Sequence, residues 1–252
     1  GSAFLACPFM ENQRIRHIPF GFLILCAVIL MAGCRSSLKQ NLTDFRAHYN
    51  TYYNANKSFN IGLDKVNTQQ REYNPLKPIR IHLPPVNAGR SDFETAIDKG
   101  ADILRKFEDS KWVDDAIELI GKSYFYRAEY FSAEQKFSEL YQATESRELK
   151  QRAVYWRGRT FLEMQLNEQA VEYLQNEIQL FEENWNKGWL AETRAVLAQH
   201  FVEMNNFEAA ETELSLALED LTQKEHKARG YFLYGQLLEL NGKLEEAYAA
   251  YD

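Results

Sequence analysis

The stretch Ile120-Gly121-Lys122-Ser123-Tyr124-Phe125-Tyr126, answered by Ala133-Glu134-Gln135-Lys136-Phe137, decides the fold. An aromatic follows the small Gly121 by three residues, a second small residue follows it by twelve, and another large apolar side chain comes four beyond that. The same beat returns at Gly158 and Ala170 with Phe161 and Leu174, at Ala198 and Ala210 with Phe201 and Leu214, and at Gly235 and Ala247 with Leu238 and Tyr251. Two antiparallel helices that cross closely need little side chain at the crossing, and larger apolar residues one and two turns away to fill the space towards the next hairpin. Ile117 and Ile120, Val154, Leu197, and Tyr231 with Tyr234 stand at those positions in the four units. Helix breakers fall midway in the last three units, at Gln165-Leu166-Asn167, Asn205-Asn206-Phe207 and Asn241-Gly242-Lys243. Asn and Gly favour the left-handed backbone that ends a helix, and Glu168, Glu208 and Glu245 suit the positive start of the next.

This is the tetratricopeptide pattern, and the sequence predicts an all-α, tetratricopeptide-type α-solenoid. Successive units are offset by 37, 40 and 37 residues, against about 34 in the standard repeat. No proline follows Pro85, and Arg157 holds a position that is usually apolar. The units are therefore diverged. Residues 91–252 read as about 3.5 of them. A capping box, Ser91-Asp92-Phe93-Glu94, is expected to open a helix running to about Phe107. The array breaks off inside the second helix of its fourth unit and is expected to continue beyond Asp252.

The front of the chain has another character. Its first methionine is Met10, so residues 1–9 read as upstream of the natural start. A basic stretch (Arg14, Arg16, His17), an apolar run from Ile18 to Ala32 and the small residues before Cys34 follow in order. That is the layout of an export signal, and Met31-Ala32-Gly33-Cys34 resembles the lipobox of bacterial lipoproteins. The resemblance implies cleavage before Cys34 and lipidation of that residue. The apolar run, about 15 residues, falls short of the ~20 that span a bilayer. Residues 1–33 are thus read as upstream residues and signal peptide, and 34–41 as a lipidated tether. Residues 42–66 carry Phe45, Tyr49, Tyr52, Tyr53, Phe59, Leu63 and Val66 at helical spacing about an Asn54-Ala55-Asn56 turn, and read as a helical hairpin. Residues 67–90, with Pro75, Pro78, Pro84 and Pro85, read as an extended linker or a strap lying on the solenoid.

Composition excludes several functions. Removing residues 1–33 takes two arginines and one glutamate, leaving 27 basic and 35 acidic side chains and a net charge of −8. An acidic chain of this kind argues against nucleic acid and against a polybasic lipid-binding face. Cys7 and Cys26 lie in the part expected to be removed, so the mature chain keeps only Cys34 and forms no internal disulfide. No nucleophile elbow, zincin motif, phosphate-binding loop or dinucleotide fingerprint is present. His48, His82, His200 and His226 are scattered without metal-ligand spacing. The expectation is no enzyme activity, no cofactor and no metal.

Tyr52-Tyr53-Asn54-Ala55-Asn56-Lys57 shortly after the lipobox, the proline-containing linker, and Lys111-Trp112-Val113-Asp114-Asp115-Ala116 leading into Ile120–Tyr126 together resemble the SprE/PorW lipoproteins. That family belongs to the type IX secretion and gliding machinery of Bacteroidetes. The resemblance implies a scaffold anchored on the periplasmic face of the outer membrane, binding other envelope proteins or peptides. Binding would use the concave face, at first-helix positions Asp115, Glu118, Lys122, Arg152, Tyr155, Arg159, Glu192, Gln199, Arg229, Phe232 and Gln236. Arg152, Tyr155 and Arg159 are the expected anchors by residue type. Two alternatives share the layout: a BamD-like lipoprotein of outer-membrane protein assembly, and a SusD-like glycan-binding lipoprotein. The second requires Trp185 and Trp189 to form an exposed, coplanar platform.

Overall fold

The computed structural model describes residues 40–45, 51–71, 74, 77–181 and 184–251. The lipobox, Cys34 and residues 46–50 of the expected 42–66 hairpin lie outside them. The elements below belong to one unit, Thr43–Asp252.

Ten α-helices carry the described fold: α1 Tyr53–Asn67, α2 Arg90–Lys106, α3 Val113–Tyr126, α4 Tyr130–Ala143, α5 Arg147–Glu163, α6 Asn167–Phe181, α7 Lys187–Glu203, α8 Phe207–Ser215, α9 Lys224–Leu240 and α10 Leu244–Tyr251. Each packs against the next, and the first helices of successive units, α3, α5 and α7, also touch one another, which makes a tetratricopeptide-type solenoid. The long offsets arise inside the units, because α5, α7 and α9 each run to 17 residues.

The twelve-residue beat has a cause more specific than clearance between helices. A Cβ on Gly121 would lie 2.7 Å from the Phe137 ring, and one on Gly158 would lie 2.9 Å from Leu174. On Gly235 it would collide with Tyr251. The large residue four positions after the second small one therefore sits directly on the backbone of the first. In the third unit the corresponding pair is Ala198 and Leu214, both fully buried.

The turns follow the same count. Ala128, Gln165, Asn205 and Gly242, each seven residues after the first small residue, take positive φ of 59°, 60°, 56° and 77°. The next residue's N–H then reaches back to the third residue of the beat: Glu129 to Tyr124 O (2.9 Å), Leu166 to Phe161 O (3.0 Å), Asn206 to Phe201 O and Lys243 to Leu238 O (both 2.8 Å). This is the Schellman closure of a helix. Ala128 and Gln165 adopt it without being Asn or Gly, which is why the first turn was invisible in the sequence. Arg157 is tolerated at its apolar position because its guanidinium lies over the Tyr173 ring, 4.5 Å from the centroid, and bonds Glu134 at 2.7 Å.

The N-terminal part departs from expectation. Helix α1 packs along α2, with Phe59 edge-on to Phe93 at 5.5 Å and Lys65 bonded to Asp92 at 2.6 Å. The two make a helix pair whose connection is opened into the long excursion 68–89. Ser91 does not cap α2. That helix starts two residues earlier than such a cap would give, at Arg90 after Gly89 at φ 68°, because the chain there passes over Gly62, whose carbonyl oxygen would lie 2.6 Å from any Cβ on Gly89. Only glycine fits such an approach in that conformation.

Candidate functional site

The concave face is built by the first helices α3, α5, α7 and α9, and the proline-flanked excursion lies in it. Segment 77–84 has neither helix nor strand, bends at Ile81 and His82, and crosses the face from α9 to α5. Ile79 donates its N–H to Gln236 Oε1 (2.8 Å), and Arg229 Nε donates to Arg80 O (2.7 Å). His82 donates its N–H to Gln199 Oε1 (3.1 Å), and Arg159 Nη2 donates to Leu83 O (3.1 Å). Gln236 Nε2 reaches Lys77 O at 3.4 Å. These bonds address the strap's main chain, so they read its backbone more than a particular sequence.

Side chains supply the rest. Ile81, 1% exposed, enters the core between the helices, with its Cδ1 3.9 Å from where a Cβ on Gly230 would stand. Arg80 pairs with Glu163 at 2.8 Å. His82, 1% exposed, places Nε2 2.8 Å from Glu192 Oε2, and His226 Nδ1 lies 2.8 Å from the same oxygen. Burial pushes His82 down to about 4. Burial would raise Glu192, but its bonds to His226 and His82 outweigh that and hold the carboxylate ionised, near 2.

Every predicted groove residue can now be placed. Gln199, Arg229 and Gln236 hold the strap's backbone, Arg159 joins them from α5, and Glu192 receives both imidazoles. Arg159 is not free to meet a partner. It is 6% exposed and lies against the rings of Trp156 (4.7 Å), Phe125 (4.9 Å) and Tyr155 (5.8 Å). Tyr155 is buried too, and burial lifts its hydroxyl well above the usual tyrosine value. Arg152 is engaged by Glu118, with Nε donating at 3.0 Å to a carboxylate that is itself buried, and Lys122 stands 4.0 Å from that carboxylate. Asp115 is half-buried, and burial raises its carboxyl. Phe232 lies apart from the strap bonds, exposed and 5.4 Å from Tyr251. Past the strap, towards α1, the groove stays open as a cavity of about 400 Å³ lined by Glu118, Lys122, Arg152, Trp189, Glu225 and His226 among others.

His82, His226, Glu163 and Ile81 were missed by the sequence reading. The tryptophan platform is not formed: Trp185 is buried against Phe181, donating Nε1–H to Ile178 O, and Trp189 is half-buried beside Tyr155 at 5.5 Å.

The architecture is a tetratricopeptide-type α-solenoid. It is shared with the crystal structure of MamA, at a TM-score of 0.50 and 18% identity over 64% of this chain and 86% of that one. A second MamA crystal structure aligns at a TM-score of 0.48 and 17% identity, over 78% of this chain and 89% of that one. No family model and no curated protein matches the chain.

Proposed function

We propose that the chain is a lipid-anchored scaffold of an envelope secretion or gliding assembly, whose concave groove receives non-helical peptide segments of partner proteins. The observation that carries the reading is the strap itself. The groove already holds a non-helical peptide segment through its backbone, and a partner segment of like conformation could use Gln199, Gln236, Arg229 and Arg159 in its place. The anchor rests on Met31-Ala32-Gly33-Cys34, and the secretion context on the SprE/PorW resemblance.

The groove is tested with a fluorescein-labelled peptide of strap sequence, Lys-Pro-Ile-Arg-Ile-His-Leu-Pro-Pro. It should bind a full chain carrying Ile81→Asp, whose own strap is loosened, and bind the wild type far more weakly. No binding to the Ile81→Asp chain, with its helical content retained, would remove the reading. The anchor is tested by labelled-palmitate incorporation, which Cys34→Ala should abolish.

A further inference from the structure

We propose that His82, Glu192 and His226 form a binding site for a divalent first-row transition metal, zinc by ligand type, that fastens the strap to the solenoid. The three residues come from the strap, α7 and α9, and their ligand atoms all lie within 4.8 Å of one another. Two imidazoles and one carboxylate are a familiar zinc set, and three protein ligands leave a fourth position for water or another donor.

The hydrogen-bond pattern argues for a cation at the centre. Gln199 Oε1 accepts the backbone N–H of His82, which can only donate, so the amide must present its oxygen there. His82 Nδ1, 2.8 Å from that same oxygen, therefore carries a proton. The other ring nitrogen, Nε2, is left facing Glu192 Oε2 at 2.8 Å, the same oxygen that His226 Nδ1 meets at 2.8 Å. A metal between them turns both into ligands. Gln199 then plays the outer part usual at such sites, fixing tautomer and ring orientation through the other nitrogen.

Two further observations agree. Glu192 Oε1 and Gln199 Nε2 are buried without a hydrogen-bond partner among the described residues, so the carboxylate has a second oxygen to offer. The two imidazoles already meet one carboxylate oxygen. Donors about 2.1 Å from a tetrahedral zinc stand about 3.4 Å apart, and the present 2.8 Å contacts reach that by shifts of roughly half an ångström. The cavity beside His226 gives the ion a way in. Metal binding does not depend on the groove's partner. Its consequence for access to the groove does rest on the proposed function.

The test titrates zinc chloride into the tag-free full chain, first stripped with a chelator, by calorimetry, and follows cobalt(II) by its visible spectrum. One equivalent should bind, with the intense bands of a low-coordinate cobalt site. His82→Ala and His226→Ala should abolish binding, His48→Ala should leave it intact, and Gln199→Ala should weaken it ~10–100-fold. His226 is partly exposed, so circular dichroism of its variant separates loss of the site from loss of the fold. Absence of binding, or equal binding by wild type and a folded His226→Ala chain, overturns the proposal.

Discussion

Replacing Gly121 by alanine puts the origin of the twelve-residue beat to a quantitative test. The added Cβ would stand 2.7 Å from one Phe137 ring carbon and 3.0 Å from two others. The ring cannot retreat: Phe137 is fully buried and stacked on Trp156 with centroids 5.8 Å apart and planes 16° from parallel. Alanine improves helix propensity by about 1 kcal/mol, while overpacking a closed core costs about 1–3 kcal/mol. With the ring backed by a tryptophan, the upper half of that range applies, and the net loss is about 1–2 kcal/mol. In a chain of this size that lowers Tm by about 2–8 °C. Gly121→Ala with Phe137→Leu rebuilds the pair already present as Ala198 and Leu214. The double variant should therefore be more stable than the sum of the singles predicts, by about 1 kcal/mol. Calorimetric melting of the wild type, both singles and the double measures all four corners. A Gly121→Ala chain as stable as the wild type, or a strictly additive double, would refute the reasoning.

Ala128 sits at φ 59°, so Ala128→Gly should stabilise the chain by about 1 kcal/mol. Gly242→Ala, with open space around it, should cost a similar amount, and urea unfolding of the two should show opposite signs. Arg152→Ala leaves the buried Glu118, among the described residues, with the ion pair to Lys122 at 4.0 Å, and it should cost about 2–3 kcal/mol, less than a fully buried pair because Arg152 keeps some solvent; an unchanged Tm would contradict the ion pair. His200 is fully buried, its Nε2–H donating to Gly158 O at 3.0 Å, and burial pushes its pKa down to about 4. The unfolded chain takes up this proton near 6.5 and the folded chain only near 4. Stability is thus full above the unfolded value and falls as pH drops through that window, by about 3 kcal/mol at its foot. His200→Gln should flatten that part of the curve of unfolding free energy against pH, and an unaltered slope would count against it.

Much of the fold was legible because each unit repeats the same solution. Gly121, Gly158, Ala198 and Gly235 mark where a large residue lies on the backbone, and that requirement shows as spacing. The first turn was not legible, since Ala128 adopts the left-handed conformation under the pull of the Schellman bonds with no turn residue to announce it. The start of α2 was misplaced because Ser91 looks like a cap, while the real constraint, Gly89 passing over Gly62, joins segments distant in sequence. Groove positions could be counted along the first helices, and Gln199, Arg229 and Gln236 do face the strap. Their occupant could not be inferred, because a segment with neither helix nor strand carries no period. The histidine cluster escaped for the same reason. His226 follows Glu192 by 34 residues, close to the 37-residue offset between their units, which hints at adjacency on neighbouring helices. His82 is brought 110 residues along the chain to Glu192 by the strap alone.

Amide hydrogen exchange across residues 77–84 tests the central claim most directly. The strap has no internal hydrogen-bond ladder, so protection of Ile79 and His82 comes from Gln236 and Gln199. The account predicts that both amides exchange far more slowly than a free coil, and that Gln199→Ala releases His82. Exchange at coil rates in the wild-type chain would mean that the groove is open and the strap is not its occupant.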